Sequence, residues 1–413
     1  MDEKKTNIVD FLADRGYVAQ SNKLDELKEY LSTPGRYFYV GFDPTADSLH
    51  VGHLVQLVAM RRLKMAGHKP IALLGGATGK VGDPSGRQDL RKVLSYEQVD
   101  HNVACIGKQI KKILDLKEGD GFICNNADWL DNLRYLDFLR DVGVCFSVNK
   151  MLTAECYKSR LEVGLTFLEF SYMLLQAYDF YHLFQEHGCR LQCGGNDQWS
   201  NLLAGADLIR RKEGEEAYVL TFNLLTTASG GKMGKSAQGA IWLDPDKCSP
   251  YNLYQYFRNC DDRDVIKFMN LLTLMPSEEI NKYSQLEGQD LNKAKERLAF
   301  EICALVHSEE AAKEAEATAK KLFASTVNTE DLDKTPVSKA QLADLNLVDF
   351  LKDFKVVPSK SEGRRMIDQG GIYLNDQAAT DPNAHLTEAD FPDGVLTLRR
   401  GKKKFFLFSL EEN

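Results

Sequence analysis

"RYFYVGFDPTADSLHVGHLVQLVAMRRLKMAGHKPIALLGG", Arg36 to Gly76, decides the fold. Arg36–Asp43 is rich in aromatic and β-branched residues and reads as a strand. Past Pro44, Asp47 or Ser48 can cap a helix that runs through LVQLVAMRRLKMAGH and stops at Gly67. Lys69–Gly76 is an apolar run of the kind buried on both faces in a parallel sheet. Strand, helix and strand form a βαβ unit. Similar runs return at GFICNNADW (121–129), CRLQCGG (189–195) and AYVLTFNLL (217–225), separated by helical stretches such as Thr166–Gly188 and Asp197–Lys212. Residues 1–225 are therefore expected to form an α/β, Rossmann-like domain with a doubly wound parallel sheet.

Beyond Thr226 the pattern changes. A Gly-rich loop leads into segments with helical spacing as far as about Phe323, including SEEAAKEAEATAKKLF, whose charges suit a solvated helix face. Residues 226–325 are read as that loop and an α-helical domain. The stretch ASTVNTEDLDKTPVSKAQ is polar and interrupted by Pro336, so 326–346 is read as a linker. Residues 347–413 regain globular composition and form a small α+β module. In PSKSEGRRMIDQGGIYLND, Ser361 is the expected helix cap, Arg364 and Arg365 ride on the helix, and Gly370–Gly371 end it before a strand.

At 413 residues, with 43% hydrophobic and 27% charged side chains, the chain suits a soluble protein of two or three domains. No apolar run reaches the roughly 18 residues of a membrane span, and MDEKKTNIVDFLADRG has neither a secretory nor a transit pattern. Nine scattered cysteines point to free thiols in a reducing compartment, the cytoplasm. Only Cys189 and Cys193 approach ligand spacing, with no second pair to complete a zinc site. The net charge of −8 argues against indiscriminate nucleic-acid binding, yet cations concentrate at Arg364–Arg365 and in RRGKKKFF (399–406). Such a cluster suits either a solvated edge strand or a phosphate-contacting surface.

His50 and His53 fall where a strand's C-terminal end meets a helix N-terminus, the place where doubly wound folds bind nucleotides. Three readings stay open there: phosphate contacts, core packing, and metal ligation, which lacks a third local ligand. GGATGKVGDPSG (75–86) and GGKMGKS (230–236) both fail the P-loop pattern, because Leu74 and Ser229 stand where its first glycine belongs. Lys232 and Lys235 remain phosphate-binding candidates. In FSYMLLQAYDF (170–180), Tyr172, Gln176 and Asp179 recur at i, i+4 and i+7 and share one helix face. Unpaired buried groups cost about 1–3 kcal/mol each, so a polar stripe on an apolar helix points to a pocket.

PTADSLHVGHL with KMGKS resembles the paired HIGH and KMSKS signatures of class I aminoacyl-tRNA synthetases. With YVGFDPTADSLHVGHL, GGATGKVGDPSG, FSYMLLQAYDF and QCGGNDQW in this order, the whole chain resembles the bacterial-type tyrosyl-tRNA synthetases. Val51 departs from the usual isoleucine of HIGH and Gly234 from the first serine of KMSKS, while Val40 falls at a variable position. The resemblance implies activation of L-tyrosine by ATP to tyrosyl-adenylate and pyrophosphate, then transfer to the 3′-terminal adenosine of tRNA(Tyr). It implies that Thr45 and His50 stabilise the γ-phosphate side, His53 contacts the nucleotide, and Lys232, Lys235, Arg87 and Arg91 surround the pyrophosphate. Tyr39 and Asp179 would bind the phenol. Asp83, Tyr172 and Gln176 would bind the amino group, with Asn126 and Gln192 completing the tyrosine site. Asp43 and Gln198 would seat the intermediate, Asp197 would hold the ribose, and Gly41, Gly52 and Gly194 would let nucleotide approach the backbone. Arg364, Arg365, Lys402 and Lys403 would touch RNA. Mg2+ is expected with ATP, no metal is expected to be held by the protein itself, and a homodimer without membrane attachment is implied.

Two rivals are carried forward. A tryptophanyl relative would not need the Tyr39/Asp179 pair, and a non-catalytic RNA-binding protein on the same fold would not need His50, His53, Lys232 and Lys235.

Overall fold

The computed structural model describes residues 7–85, 94–228, 230–231, 233, 235–236, 239–323, 334–375, 377–401 and 404–411. The chain divides into two compact units, Met1–Glu316 and Ala317–Asn413.

The first unit is built on a six-stranded sheet. Its strands are β1 (Val18–Ser21), β2 (Tyr37–Phe42), β3 (Lys69–Leu74), β4 (Phe122–Asn125), β5 (Leu191–Gly195) and β6 (Tyr218–Phe222), in spatial order β1-β6-β5-β2-β3-β4. All neighbours are parallel except β1, which runs antiparallel to β6 along one edge. β3 and β5 are almost wholly buried, as their continuous apolar sequences require. The chain proceeds from β2 to β3 and β4 on one side and returns as β5 and β6 on the other. The strand order thus reverses between β2 and β5, and a crevice opens at their C-terminal ends.

The helix after β2 begins differently from the sequence reading. His50, not Asp47 or Ser48, is the cap: its Nδ1 accepts from Gly52 N at 3.1 Å and opens the turn Val51–His53, which leads into the helix Leu54–Met65. The two expected caps are occupied elsewhere. Asp47 pairs with Lys247 at 2.6 Å, and the Ser48 hydroxyl accepts from Asp244 N at 3.2 Å and from Gln109 Nε2 at 3.2 Å. Gly67 does end the helix, at φ +92°. The helices Phe167–His187 and Trp199–Glu213 match their sequence patterns, the first with Thr166 and Gly188 as caps.

Two short strands, β7 (Lys235–Ser236) and β8 (Gly239–Ala240), pair antiparallel after β6. Helices Pro250–Arg258, Val265–Leu272, Ser277–Tyr283, Leu291–Val306 and Glu309–Phe323 follow.

In the second unit, Lys334–Ser338, read from sequence as linker, is strand β9. It pairs in parallel with β13 (Lys404–Glu411) at the edge of a sheet ordered β11-β10-β12-β13-β9, where β10 is Ile372–Leu374, β11 Gln377–Ala378 and β12 Val395–Arg400. An edge position tolerates Pro336, and the few apolar residues nearby, Val337 and Leu342, are buried in this unit's core. The helix Lys360–Asp368 is capped by Ser359, whose hydroxyl accepts from Glu362 N at 3.2 Å; Ser361, the expected cap, lies inside it. Phe408 meets Phe350 and Phe354 edge-on, with ring centroids 4.9 and 5.4 Å away. Phe408→Ala should cost about 3–5 kcal/mol. Denaturant unfolding followed by near-UV circular dichroism should show the Ala317–Asn413 transition moved to lower denaturant and the other unit's transition unmoved.

Candidate functional site

The crevice between β2 and β5 gathers most of the candidate residues. β2 and the turn after it contribute Tyr39, Gly41, Asp43 and Thr45, and the helix entrance contributes His50 and His53. The second Gly-rich loop supplies Asp83, the helix Phe167–His187 supplies Tyr172, Gln176 and Asp179, and β5 with its following turn supplies Gly194, Asp197 and Gln198. Asn126 and Gln192 are buried beside it rather than lining it. Gly52 does not line it either. A Cβ there would stand 2.8 Å from the His50 ring and 3.3 Å from the Met233 carbonyl oxygen, so close internal packing also calls for a glycine. Arg87, Arg91, Lys232, Lys402 and Lys403 lie outside the described residues, as does the side chain of Lys235.

A hydrogen-bonded chain crosses the floor. Asn126 Nδ2 donates to Asp179 Oδ2 at 2.9 Å and to Thr78 Oγ1 at 3.0 Å. Thr78 Oγ1 donates to Asp43 Oδ1 at 2.9 Å, and Tyr172 OH donates to Asp43 Oδ2 at 3.0 Å. Trp129 Nε1 donates to the other Asp179 oxygen at 2.8 Å. The glycine at 75 is a requirement of this chain, because a Cβ there would fall 2.2 Å from Asp43 Oδ1. On the opposite wall, Gln198 Nε2 donates to Asp83 Oδ2 at 2.7 Å, and Asn201 holds both Gln198 Oε1 and Ser85 Oγ.

Burial pushes the Asp179 carboxyl up to about 7, against the downward pull of its Asn126 and Trp129 donors. Burial, with the Asp179 charge second, raises Tyr39 well above the ordinary phenol range, so its hydroxyl keeps its proton. That hydroxyl is buried without a hydrogen-bond partner, and so are Gln176 Oε1 and Gln192 Oε1. The crevice thus holds a proton-bearing phenol and an amide oxygen without partners beside a carboxyl already held by two donors. Burial is also the main reason the His53 imidazole is held down at about 3, with the His50 charge adding to it, although the residue as a whole is only half-buried. His53 Nδ1 accepts from His50 N at 3.1 Å and His50 Nδ1 accepts from Gly52 N. The bond from Gly52 N leaves the His50 proton on Nε2 as a donor, while His53 Nδ1 also lies 3.3 Å from His50 O.

The third loop is brought to the same place. Val51 N donates to Ile241 O at 3.0 Å and Leu243 N to Leu49 O at 2.8 Å, so the segment after KMGKS pairs beside the histidine turn.

Residues 35–324 match the family model for class I tRNA synthetases (W and Y). The chain belongs to that family. Residues 328–408 match the Tyrosine–tRNA ligase SYY-like C-terminal domain. A curated protein of Clostridium botulinum named Tyrosine–tRNA ligase is 52% identical over 97% of this chain and 98% of its own length. One of the same name from Acetivibrio thermocellus is 51% identical over the same shares. The crystal structure of a C-terminally truncated mitochondrial tyrosyl-tRNA synthetase from Aspergillus nidulans superposes with a TM-score of 0.70 at 30% identity. That match covers 78% of this chain and 96% of the other.

Within this synthetase, sequence reasoning missed Thr78, Trp129 and Asn201 in the hydrogen-bonded walls and Gln56 in the crevice lining. Trp129 follows the singled-out Asn126 in NNADW, and Asn201 stands i+3 from Gln198 on a helix, so spacing offered a signal for both. Thr78 and Gln56 carried none, because a threonine in a Gly-rich loop and a glutamine on a helix suit many places.

Asp179 gives a pH signature. Its folded pKa lies above the ordinary 3.8, so its contribution to stability is full below about pH 4 and is lost as pH rises through about 7. The melting temperature of the unmodified chain should decline across that window more steeply than that of Asp179→Asn. Equal slopes in a scanning-fluorimetry pH series would place the titration elsewhere.

Proposed function

We propose that this crevice activates L-tyrosine with ATP and then passes the tyrosyl group to tRNA(Tyr), with the residue roles set out here. The chain is a tyrosine–tRNA ligase. The observation that most supports the roles is the set of buried, partnerless polar atoms around one crevice. Leaving such a group unpaired costs about 1–3 kcal/mol, and a bound tyrosine supplies what each lacks. Its phenol donates to Asp179 and accepts from Tyr39. Its ammonium donates to Gln176 Oε1, with Tyr172 and Asp83 around it. Binding a neutral donor favours the ionised form of Asp179. Selecting tyrosine over phenylalanine through a buried polar device is a rule for which tyrosine-activating enzymes are the standing example, so it is not a result of this structure.

In activation, the already ionised tyrosine carboxylate attacks the α-phosphorus. A new carboxyl–phosphorus bond forms, and the bond to the bridging oxygen breaks, so its electrons leave with pyrophosphate. No general base is needed. The rate gain comes from alignment and from stabilising charge as it moves onto the departing group. Thr45 and the Nε2–H donor of His50 act on that side, with Lys232, Lys235, Arg87 and Arg91 as cations, and His53 contacts the nucleotide. Gly41 and Gly194 admit the nucleotide, Asp197 takes its ribose, and Gln198 and Asp43 seat the adenylate. In transfer, a ribose hydroxyl of the terminal adenosine attacks the tyrosyl carbonyl and AMP leaves. Mg2+ arrives with ATP, carried by phosphate oxygens and water, and neutralises phosphate charge. Among the described residues no three His, Cys, Asp or Glu side chains gather to hold it.

Arg364 and Arg365 are exposed on the helix Lys360–Asp368 and suit RNA phosphates, joined by Lys402 and Lys403. No helix among the described residues is long and apolar enough to cross a membrane. All nine cysteines are free, which suits the reducing cytoplasm. A homodimer is favoured by exposed apolar side chains between residues 135 and 168, among them Val144 at 76%, Leu136 at 69% and Phe167 at 68% exposure.

ATP–pyrophosphate exchange with tyrosine, tryptophan and phenylalanine tests the assignment. Tyrosine alone should support it, and Tyr39→Phe should raise the tyrosine KM roughly tenfold. Exchange with none of the three would sink the activity, and exchange with tryptophan would sink the selectivity. For assembly, sedimentation equilibrium should find a dimer that Val144→Asp with Leu136→Asp converts to monomer. A monomeric unmodified chain would contradict it.

A further inference from the structure

The helix Val265–Leu272 is tied at both ends to parts of the site. At its start, the buried Asp264 accepts through Oδ2 from Ala228 N at 2.9 Å. One turn on, Lys267 Nζ donates to the Thr226 carbonyl at 2.7 Å and to its hydroxyl at 3.1 Å. Among the described residues Lys267 makes no ion pair, so its ammonium serves the backbone of Thr226 instead of a carboxylate. Thr226–Ala228 is the root of the loop that carries KMGKS. The loop returns on the same root, with Met233 N donating to Leu225 O at 2.8 Å and Thr227 N to Gly231 O at 2.9 Å.

At the helix's other end, one carbonyl of its last turn and two carbonyls of the segment just past it receive three side-chain donors. Tyr17 OH donates to Leu271 O at 2.8 Å, Arg62 Nη2 to Thr273 O at 2.6 Å and Arg15 Nη2 to Met275 O at 2.6 Å. Two guanidinium groups at a helix C-terminus also complement its negative dipole end. Both lie against the Phe11 ring, at 4.9 Å for Arg15 and 5.2 Å for Arg62. Arg62 belongs to the helix Leu54–Met65, which begins at the His50–His53 turn. One short, doubly anchored helix thus fixes the root of the lysine-bearing loop relative to the helix that presents the histidines.

We propose that Lys267 and Asp264 are positioning residues for tyrosine activation. By holding Thr226 and Ala228 to the start of the helix Val265–Leu272, they fix the root from which the lysine-bearing loop leaves. Neither touches substrate. The proposal rests on the reading that Lys232 and Lys235 face the phosphates of ATP.

Lys267→Met keeps the aliphatic stem and removes both hydrogen bonds, and Lys267→Arg restores a donor. In ATP–pyrophosphate exchange, Lys267→Met should lower kcat about tenfold. The tyrosine Kd, from equilibrium dialysis without ATP, should stay within about twofold, since the lost interaction acts on the transition state. Lys267→Arg should recover most of the rate, and Asp264→Ala should reproduce the loss should Lys267→Met fold poorly. Lys235→Ala runs alongside. If it slows exchange while Lys267→Met and Asp264→Ala do not, the positioning role is overturned and the loop's role stands. If Lys235→Ala leaves exchange intact, the reading of the loop falls and the proposal with it. A tyrosine Kd that weakens in step with kcat would show general damage to the fold and overturn the proposal as well.

Discussion

Two parallel strands, β2 and β5, lie side by side while the chain leaves them toward opposite edges of the sheet. No helix can cover both C-terminal ends at once, so backbone and side chains there remain open to a ligand. The site depends on that constraint. Tyr39, Gly41 and Asp43 come from the end of one strand and its turn, Gly194 and Asp197 from the end of the other and its turn, and the histidine turn opens directly above them.

The crevice is costly to maintain. Asp179 is desolvated enough to hold its carboxyl near 7, and it stays ionisable because Asn126 and Trp129 each give one of its oxygens a donor. Asn126 also reaches Thr78, and Thr78 reaches Asp43, so the Asp179 and Asp43 carboxyls share a single scaffold. Such networks specify one geometry when every member is satisfied. Tyr39 OH and Gln176 Oε1, buried without partners, border the same crevice outside this network.

Much of this was legible from residues alone. The βαβ reading of Arg36–Gly76 matched the structure because buried parallel strands must be apolar throughout, and the i, i+4, i+7 stripe on Phe167–His187 reached the crevice because helical geometry leaves it nowhere else to face. Failures came where distant partners decide. Asp47 and Ser48 look like helix caps until Lys247, Asp244 and Gln109 claim them, and His50 then caps the turn itself. Lys334–Ser338 looks like linker because a lone buried valine and a proline suffice at the edge of a sheet completed by the far end of the chain.

The sequence by itself determined the doubly wound class, the position of the histidine turn at a strand's end and the polar face of the pocket helix. Each follows from local periodicity and backbone chemistry. Only the tertiary structure decided that Thr78 and Trp129 belong to the site, that Gly52 packs against the His50 ring and the Met233 carbonyl, and that one short helix joins the loop root to Arg62. Those facts are contacts between residues far apart in the chain, and no local pattern encodes which partner a side chain will meet.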